Sequence, residues 1–228
     1  MKEFQSVLAF GDSTVAGCEL ASGLEKFRTR AYKTGAVSIE DVDAPGKLFA
    51  FPQIVANRFK IPCYNYSMTG SSNFRNLRLL TEAVQTHPNS LVLFGYTWTD
   101  RTEFYYPDGG IGCDRDKFFQ AGPDNFDTHM NRKYLEILYP YDNLKTIMFL
   151  VESVCRTHAK YFLHLPLFNH KNLSQIPDVP NLINFGPSNN YENWAIENNF
   201  SRHEIHFGID AHEAISEKII QKIYGDNT

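Results

Sequence analysis

The 228-residue sequence lacks the features that mark nucleic-acid-binding, membrane-spanning and disulfide-stabilised proteins. Its four cysteines lie far apart and never in C-x-x-C spacing, so the sequence predicts neither a disulfide scaffold nor a zinc knuckle. No run of Lys or Arg occurs and the net charge is −4, so we expect no nucleic-acid partner. No apolar run is long enough to cross a bilayer, so we expect no membrane partner.

Targeting and nucleotide-binding motifs are also missing. The amino-terminal residues Met1–Gln5 are not followed by the apolar segment of a secretory signal, so we expect a cytoplasmic protein. Neither G-x-G-x-x-G nor a P-loop occurs, and the stretch His203-Glu204-Ile205-His206 is one residue short of H-E-x-x-H. We therefore expect no cofactor and no metal.

The composition fits one large domain. With 43% hydrophobic and 21% charged residues, the chain can bury a full core, and we expect residues 1–228 to form one domain. Three stretches of mixed charge or of many Gly, Pro and Asn residues interrupt the regular pattern. We interpret them as loop insertions near 18–46, 101–130 and 166–195.

Short apolar runs alternate with amphipathic segments along the chain. The apolar runs predict four strands, at Val7–Phe10, Pro62–Tyr66, Ser90–Gly95 and Lys160–Leu165. The amphipathic segments predict helices: one with Pro52 near its first turn, one carrying Leu77, Leu80 and Val84, one from Met130 to His158 broken at Pro140, and one from Ile209 to Ile223. This alternation is typical of an α/β fold, a three-layer sandwich with a central, mostly parallel sheet.

Small polar residues follow the first predicted strand in the sequence Gly11-Asp12-Ser13. Active sites of open α/β sheets lie at the carboxyl ends of strands, which makes Ser13 the candidate nucleophile. Loops after two later strands, Ser67–Asn73 and Tyr96–Arg101, would reach the same edge of a parallel sheet. The candidate base is His206, just before the last helix, because connected α/β elements pack closely.

The chain resembles the SGNH, or GDSL-type, hydrolase family in four blocks that occur in the family's order. Gly11-Asp12-Ser13 is similar to the first block, whose serine is the nucleophile. The second block is similar to Asn65–Asn73, and its glycine, here Gly70, gives a backbone N–H to the oxyanion hole. Leu91–Thr97 is similar to the third block, and His206, with His212 further on, is similar to the last, whose histidine is catalytic. The resemblance implies a flavodoxin-like sandwich that hydrolyses esters.

Two positions depart from the family's pattern. Thr97 stands where the third block has asparagine, so either its hydroxyl serves the oxyanion or the hole rests on the backbone N–H groups of Ser13 and Gly70. His203 stands where the family has the aspartate that orients the catalytic histidine. The third catalytic position is therefore filled by His203, by Glu204, or by no residue, which would leave a Ser-His dyad.

The candidate substrate contacts are Asn73, Trp98 and Arg101. Asn73 either caps a helix or supports the oxyanion loop, and we favour the cap. The expected partner is a small-molecule or carbohydrate ester, and the loops favour a carbohydrate acetyl ester because they offer flat aromatic side chains and no long apolar channel. The alternative is a protein of the same fold that binds carbohydrate or a protein partner and has lost efficient catalysis.

Three other residues are expected to be structural. Asp12 is expected to hold the turn before Ser13 together. His164 lies in an otherwise apolar run, which is typical of a core histidine. His212 falls inside the last predicted helix and is expected to pack or to cap.

Overall fold

A computed structural model describes residues 3–18, 20, 45–97, 104–105, 111–112, 143–168, 179–203 and 206–225. The predicted helix break at Pro140 and most of the predicted insertions near 18–46 and 101–130 lie outside these residues. Residues 169–178 of the third predicted insertion lie outside them as well.

Four apolar segments form a parallel sheet with the strand order β2-β1-β3-β6. The strands are β1 (Val7–Phe10), β2 (Cys63–Asn65), β3 (Leu91–Tyr96) and β6 (Tyr161–Pro166), while β4 (Phe104–Tyr105) and β5 (Ile111–Gly112) form a separate antiparallel pair. In the sheet, Val7 is opposite both Cys63 and Leu91. The predicted parallel sheet is confirmed, and its strands end at one common edge.

One face of the sheet packs against α2 (Phe51–Phe59) and α6 (Ile209–Gly225). Every second residue of each strand points to this face, since side chains alternate along a strand. The predicted inner stripe of the last helix is confirmed: Ile215, Ile219 and Ile223 are buried in this layer. Pro52 lies in the first turn of α2, as predicted.

The opposite face packs against α3 (Asn73–Thr86) and α4 (Asn143–His158). Strand residues such as Leu8 and Val92 meet Leu80 of α3 and Val151 of α4 in this second core. Helices therefore cover both faces of the parallel sheet, and the predicted three-layer α/β sandwich is confirmed. None of the helices in the described ranges is long and apolar enough to cross a membrane.

Several short elements near the carboxyl terminus are absent from the sequence-based prediction. They are a 3₁₀ helix at Gly186–Ser188, α5 (Tyr191–Glu197), and a hairpin of β7 (Arg202–His203) and β8 (His206–Phe207). Asn190 caps α5, because its side chain accepts the Asn193 N–H at 2.9 Å. An asparagine before Tyr-x-x-x-Ala was the available signal, but the surrounding Pro and Asn residues favoured a loop.

The four-residue helix α1 (Ser13–Ala16) is fixed by a close backbone contact. It ends at Gly17, whose φ of 73° is left-handed and whose N–H donates to the carbonyls of Ser13 and Thr14. Gly46 lies against this end of the helix: a Cβ atom at Gly46 would be 2.1 Å from the Gly17 carbonyl oxygen. Glycine is therefore required at both positions.

Two buried histidines support the packing of the sandwich. His212 is 2% exposed, and its Nδ1 accepts the Phe51 N–H at 3.1 Å, which caps the first turn of α2 from α6. Burial, reinforced by His206, lowers the pKa of His212 to about 3. His164 is fully buried at 2.6 Å from the Tyr96 hydroxyl, and burial lowers its pKa to about 4. Both expectations, a core His164 and a packing or capping His212, are confirmed.

Because the pKa values of these two histidines are lowered in the folded state, we expect the stability of the protein to fall in mild acid. Each has a folded-state pKa below its ordinary value of 6.5, so between about pH 6.5 and pH 4 the unfolded chain binds protons that the folded chain does not. Unfolding free energy should fall by up to about 1.4 kcal/mol per pH unit for each histidine. Urea denaturation between pH 7 and pH 4.5 measures this slope. His212→Asn, which keeps an acceptor for the Phe51 N–H, should reduce it; an unchanged slope would contradict the assignment.

Because Gly46 lies so close to the end of α1, we expect a methyl group added at this position to lower the stability of the protein substantially. Gly46→Ala should destabilise the protein by about 1–3 kcal/mol, because backbone atoms on both sides would have to move. Gly225→Ala is the matched control: among the described residues, no atom outside its own stretch of helix lies within 4 Å of the added Cβ, so stability should be unchanged or slightly higher. Thermal unfolding of the two variants compares them directly, and equal melting temperatures would argue against the contact.

Candidate active site

The site begins where β1 ends, at the turn that carries Ser13. Asp12 is the N-cap of α1, and its Oδ1 accepts the Thr14 N–H at 3.0 Å. The expectation that Asp12 holds this turn is confirmed. Ser13 is the first residue of the helix and 8% exposed, so only a small part of its surface is accessible. Its own N–H is one of the amide groups that the first turn of a helix leaves without an intrahelical acceptor.

The loop after β2 lies directly beside this turn. Asn65 donates its side-chain N–H to the carbonyl of Val15 in α1 at 2.9 Å, and its Oδ1 accepts the Ser67 N–H at 3.1 Å. The Met68 N–H donates to the Gly11 carbonyl at 3.3 Å. One asparagine therefore joins the end of β2 to the helix of Ser13 and starts the loop that carries Gly70.

Gly70 occupies a tight turn in that loop. The Ser71 N–H donates to the Met68 carbonyl at 2.9 Å, and Gly70 has a φ of 77°, as the third residue of a type II turn requires. Among the described residues, no carbonyl or side chain accepts the N–H of Gly70 or that of Ser13. Two amide donors thus stand on neighbouring turns at the edge of the sheet.

Thr97, which follows β3, is bound to both preceding loops. Its hydroxyl donates to Asp12 Oδ2 at 3.0 Å. Its N–H donates to Asn73 Oδ1 at 2.9 Å, and its carbonyl accepts from Asn73 Nδ2 at 3.0 Å. Thr97 has no exposed surface.

The interpretation of Asn73 as a helix cap is wrong. Ser72 caps α3, because its hydroxyl accepts the Arg75 N–H at 3.1 Å. Asn73 is 1% exposed, and both ends of its amide bond to the backbone of Thr97. A side chain so placed connects the loops after β2 and β3, which agrees with the other role considered for it, support of the loop that carries Gly70. A contact between Asn73 and substrate stays a prediction.

The hairpin of β7 and β8 brings His206 to the same region. His206 begins β8 and is partly buried, and residues of β8 and α1 approach within 8 Å between Cα atoms. Register pairs His206 with His203 and Phe207 with Arg202. The elements that carry the predicted nucleophile and the predicted base are therefore neighbours.

The remaining predicted site residues stay predictions. Glu204, Trp98 and Arg101 lie outside the described residues. For His203 the backbone register alone is described, and it places the residue opposite His206. Within the described part of the chain, no group of three His, Cys, Asp or Glu side chains could hold a metal ion.

One carboxyl group near this edge is not among the residues predicted from the sequence. Glu192, in the first turn of α5, has a raised pKa: partial burial raises it, Arg202 opposes the shift, and Asp12 adds to it. Its N–H donates to the carbonyl of Leu167, just past β6, at 3.0 Å. An acidic residue after the Asn190 cap was the only local signal for this position.

Of the comparisons with known proteins, only the one with solved structures gives matches, and these matches concern the fold. No protein-family model and no curated protein matches the chain. Among solved structures, the chain is similar to a protein assigned to the G-D-S-L lipolytic family from Desulfitobacterium hafniense, with TM-score 0.50, 12% identity, and 96% and 99% of the two chains covered. It is also similar to a catalytic mutant of Axe2, an acetylxylan esterase from Geobacillus stearothermophilus, with TM-score 0.50, 14% identity, and 98% and 96% covered. The chain therefore has the α/β fold of G-D-S-L esterases, as the sequence resemblance implied.

Proposed function

We propose that the protein is a serine hydrolase that cleaves an ester. The observation that carries this proposal is the contact between α1, which begins with Ser13, and β8, which begins with His206. A serine at a strand end, an imidazole on the adjacent hairpin and two unused amide donors are the parts that acyl transfer to water requires.

The reaction starts with proton transfer from the Ser13 hydroxyl to His206. As the proton leaves, Ser13 Oγ attacks the ester carbonyl, and the carbonyl electrons move to the oxygen to form a tetrahedral oxyanion. Collapse of this intermediate breaks the bond to the alcohol, which takes the proton from His206. Water then attacks the acyl group on Ser13 with His206 as base, which releases the acid and restores the serine.

The oxyanion hole of this proposal consists of the backbone N–H groups of Ser13 and Gly70. Both groups lack an acceptor among the described residues, and the loop of Gly70 is bonded to the turn of Ser13 through the Gly11 carbonyl. Loss of one such donor raises the transition state by on the order of 3 kcal/mol. Thr97 is the alternative donor, but its hydroxyl hydrogen is directed to Asp12.

The third catalytic position belongs to His203, to Glu204 or to no residue. The backbone register that places His203 opposite His206 supports the first assignment. A Ser-His dyad would make a slower enzyme, since a triad that loses its orienting carboxylate can lose about 10⁴-fold in turnover.

The substrate class we propose is a small-molecule ester, with a carbohydrate acetyl ester favoured. Trp98 and Arg101, close after β3 in the sequence, support a flat, sugar-sized binding surface. One structural neighbour is described as an acetylxylan esterase, which agrees with this class. No cofactor enters the proposed reaction.

A second candidate function is binding without efficient catalysis. The observation that favours it is the hydrogen bond from Thr97 to Asp12, which removes a side-chain donor from the position where the family has asparagine. Such a protein would bind a carbohydrate or a protein partner at the same edge of the sheet.

The proposal predicts that ester hydrolysis depends on Ser13 and His206. The wild type should hydrolyse p-nitrophenyl acetate, and Ser13→Ala or His206→Ala should lower kcat by about 10³-fold or more, because each removes a group that takes part in bond making or proton transfer. Initial rates of p-nitrophenolate release measure the effect.

Matched controls come from the exposed surface of α4. Ser153→Ala and His158→Ala remove the same side chains from exposed positions that have no part in the site, so their rates should equal that of the wild type. Equal rates for the wild type and Ser13→Ala would overturn the proposed hydrolase activity and favour the second candidate function, binding without efficient catalysis. Isothermal titration calorimetry with an acetylated xylo-oligosaccharide would then test for carbohydrate binding.

A further inference from the structure

We propose that Thr97 is a positioning residue for Ser13 and that it acts through the carboxylate of Asp12 instead of donating to the oxyanion. The inference rests on the proposed function, because the position of Ser13 matters only if Ser13 is the nucleophile. It concerns the position where this chain departs from the asparagine of the family it resembles.

The number of available hydrogens supports this assignment. A threonine hydroxyl has one hydrogen to donate, whereas an asparagine amide has two. The hydroxyl of Thr97 lies 3.0 Å from Asp12 Oδ2, and a hydrogen bond to a carboxylate is stronger than one to a neutral acceptor. Thr97 therefore has no second hydrogen for a developing oxyanion while this bond is intact.

The backbone of Thr97 cannot turn easily to release that bond. Asn73 holds the N–H and the carbonyl of Thr97 at the same time, at 2.9 Å and 3.0 Å. Both residues are buried, so water does not compete for these groups. The side chain of Thr97 is thus held at a fixed point relative to α3 and β3.

Asp12 transmits this position to the nucleophile. Its other oxygen accepts the Thr14 N–H at 3.0 Å, and this bond forms the first turn of α1, where Ser13 is the first residue. Asp12 has no exposed surface, so loss of the Thr97 hydroxyl would remove a buried hydrogen bond from this carboxylate that water could not easily replace. The carboxylate would then reorient and carry the Ser13 N–H and hydroxyl with it.

A double-mutant cycle separates positioning through Asp12 from direct donation to the oxyanion. Thr97→Val removes the hydroxyl at nearly constant shape, and Asp12→Ser keeps a side chain that caps α1 but is too short to bond to Thr97. We expect each single variant to lower kcat for p-nitrophenyl acetate by about 10- to 100-fold with little change in KM, because a small displacement of reacting groups has effects of this size. We expect the double variant to equal either single variant within about threefold.

Control variants separate positioning from general stability. Thr97→Ser keeps the hydroxyl and should restore kcat to within about threefold of the wild type. Val151→Ala opens a cavity in the α4 layer and should lower the melting temperature while kcat stays unchanged. If Thr97→Val does not fold, Thr97→Ala takes its place in the cycle.

The outcomes distinguish this inference from the proposed function. Multiplicative losses in kcat in the double variant would overturn positioning through Asp12 and favour a direct role for Thr97, with the hydrolase intact. Failure of Thr97→Ser to restore kcat would also overturn it. If the wild-type kcat were no higher than that of Ser13→Ala, the proposed hydrolase activity would be overturned, and this inference would fall with it.

Discussion

The buried carboxylate of Asp12 is the constraint on which the site depends. A carboxylate without exposed surface is costly unless hydrogen bonds compensate it. Here one oxygen accepts the Thr14 N–H and the other accepts the Thr97 hydroxyl, each at 3.0 Å. The first bond starts α1, and the second reaches the end of β3. The need to satisfy one charge therefore fixes Ser13 between two strand ends.

The parallel sheet makes this arrangement possible. β1 lies between β2 and β3, so the loops that follow these three strands emerge side by side. Asn65 holds α1 from the side of β2, and Thr97 holds it from the side of β3. The hairpin of β7 and β8 then adds His206 next to α1. Residues from distant parts of the chain meet because the strand order brings their loops to one edge.

The sheet and the main helices could be predicted from the sequence because their signals are local. Each strand is a short apolar run, and Ile215, Ile219 and Ile223 show the helical period directly. The role of Asn73 could not be predicted in this way: the local pattern allows either Ser72 or Asn73 to cap α3, and only the fold brings Asn73 to Thr97, a contact between residues 24 positions apart. The position of Glu192 near Asp12 depends on how α5 packs against the rest of the fold, and no local sequence pattern predicts that packing.

In the proposed reaction, His206 activates Ser13. A fluorophosphonate probe followed by peptide mass spectrometry tests it most directly, because such a probe reacts with an activated serine and spares ordinary hydroxyls. We expect one phosphonyl group on the peptide that contains Ser13, and a strong loss of labelling in His206→Ala. An unlabelled protein, or a label on any other residue, would contradict it.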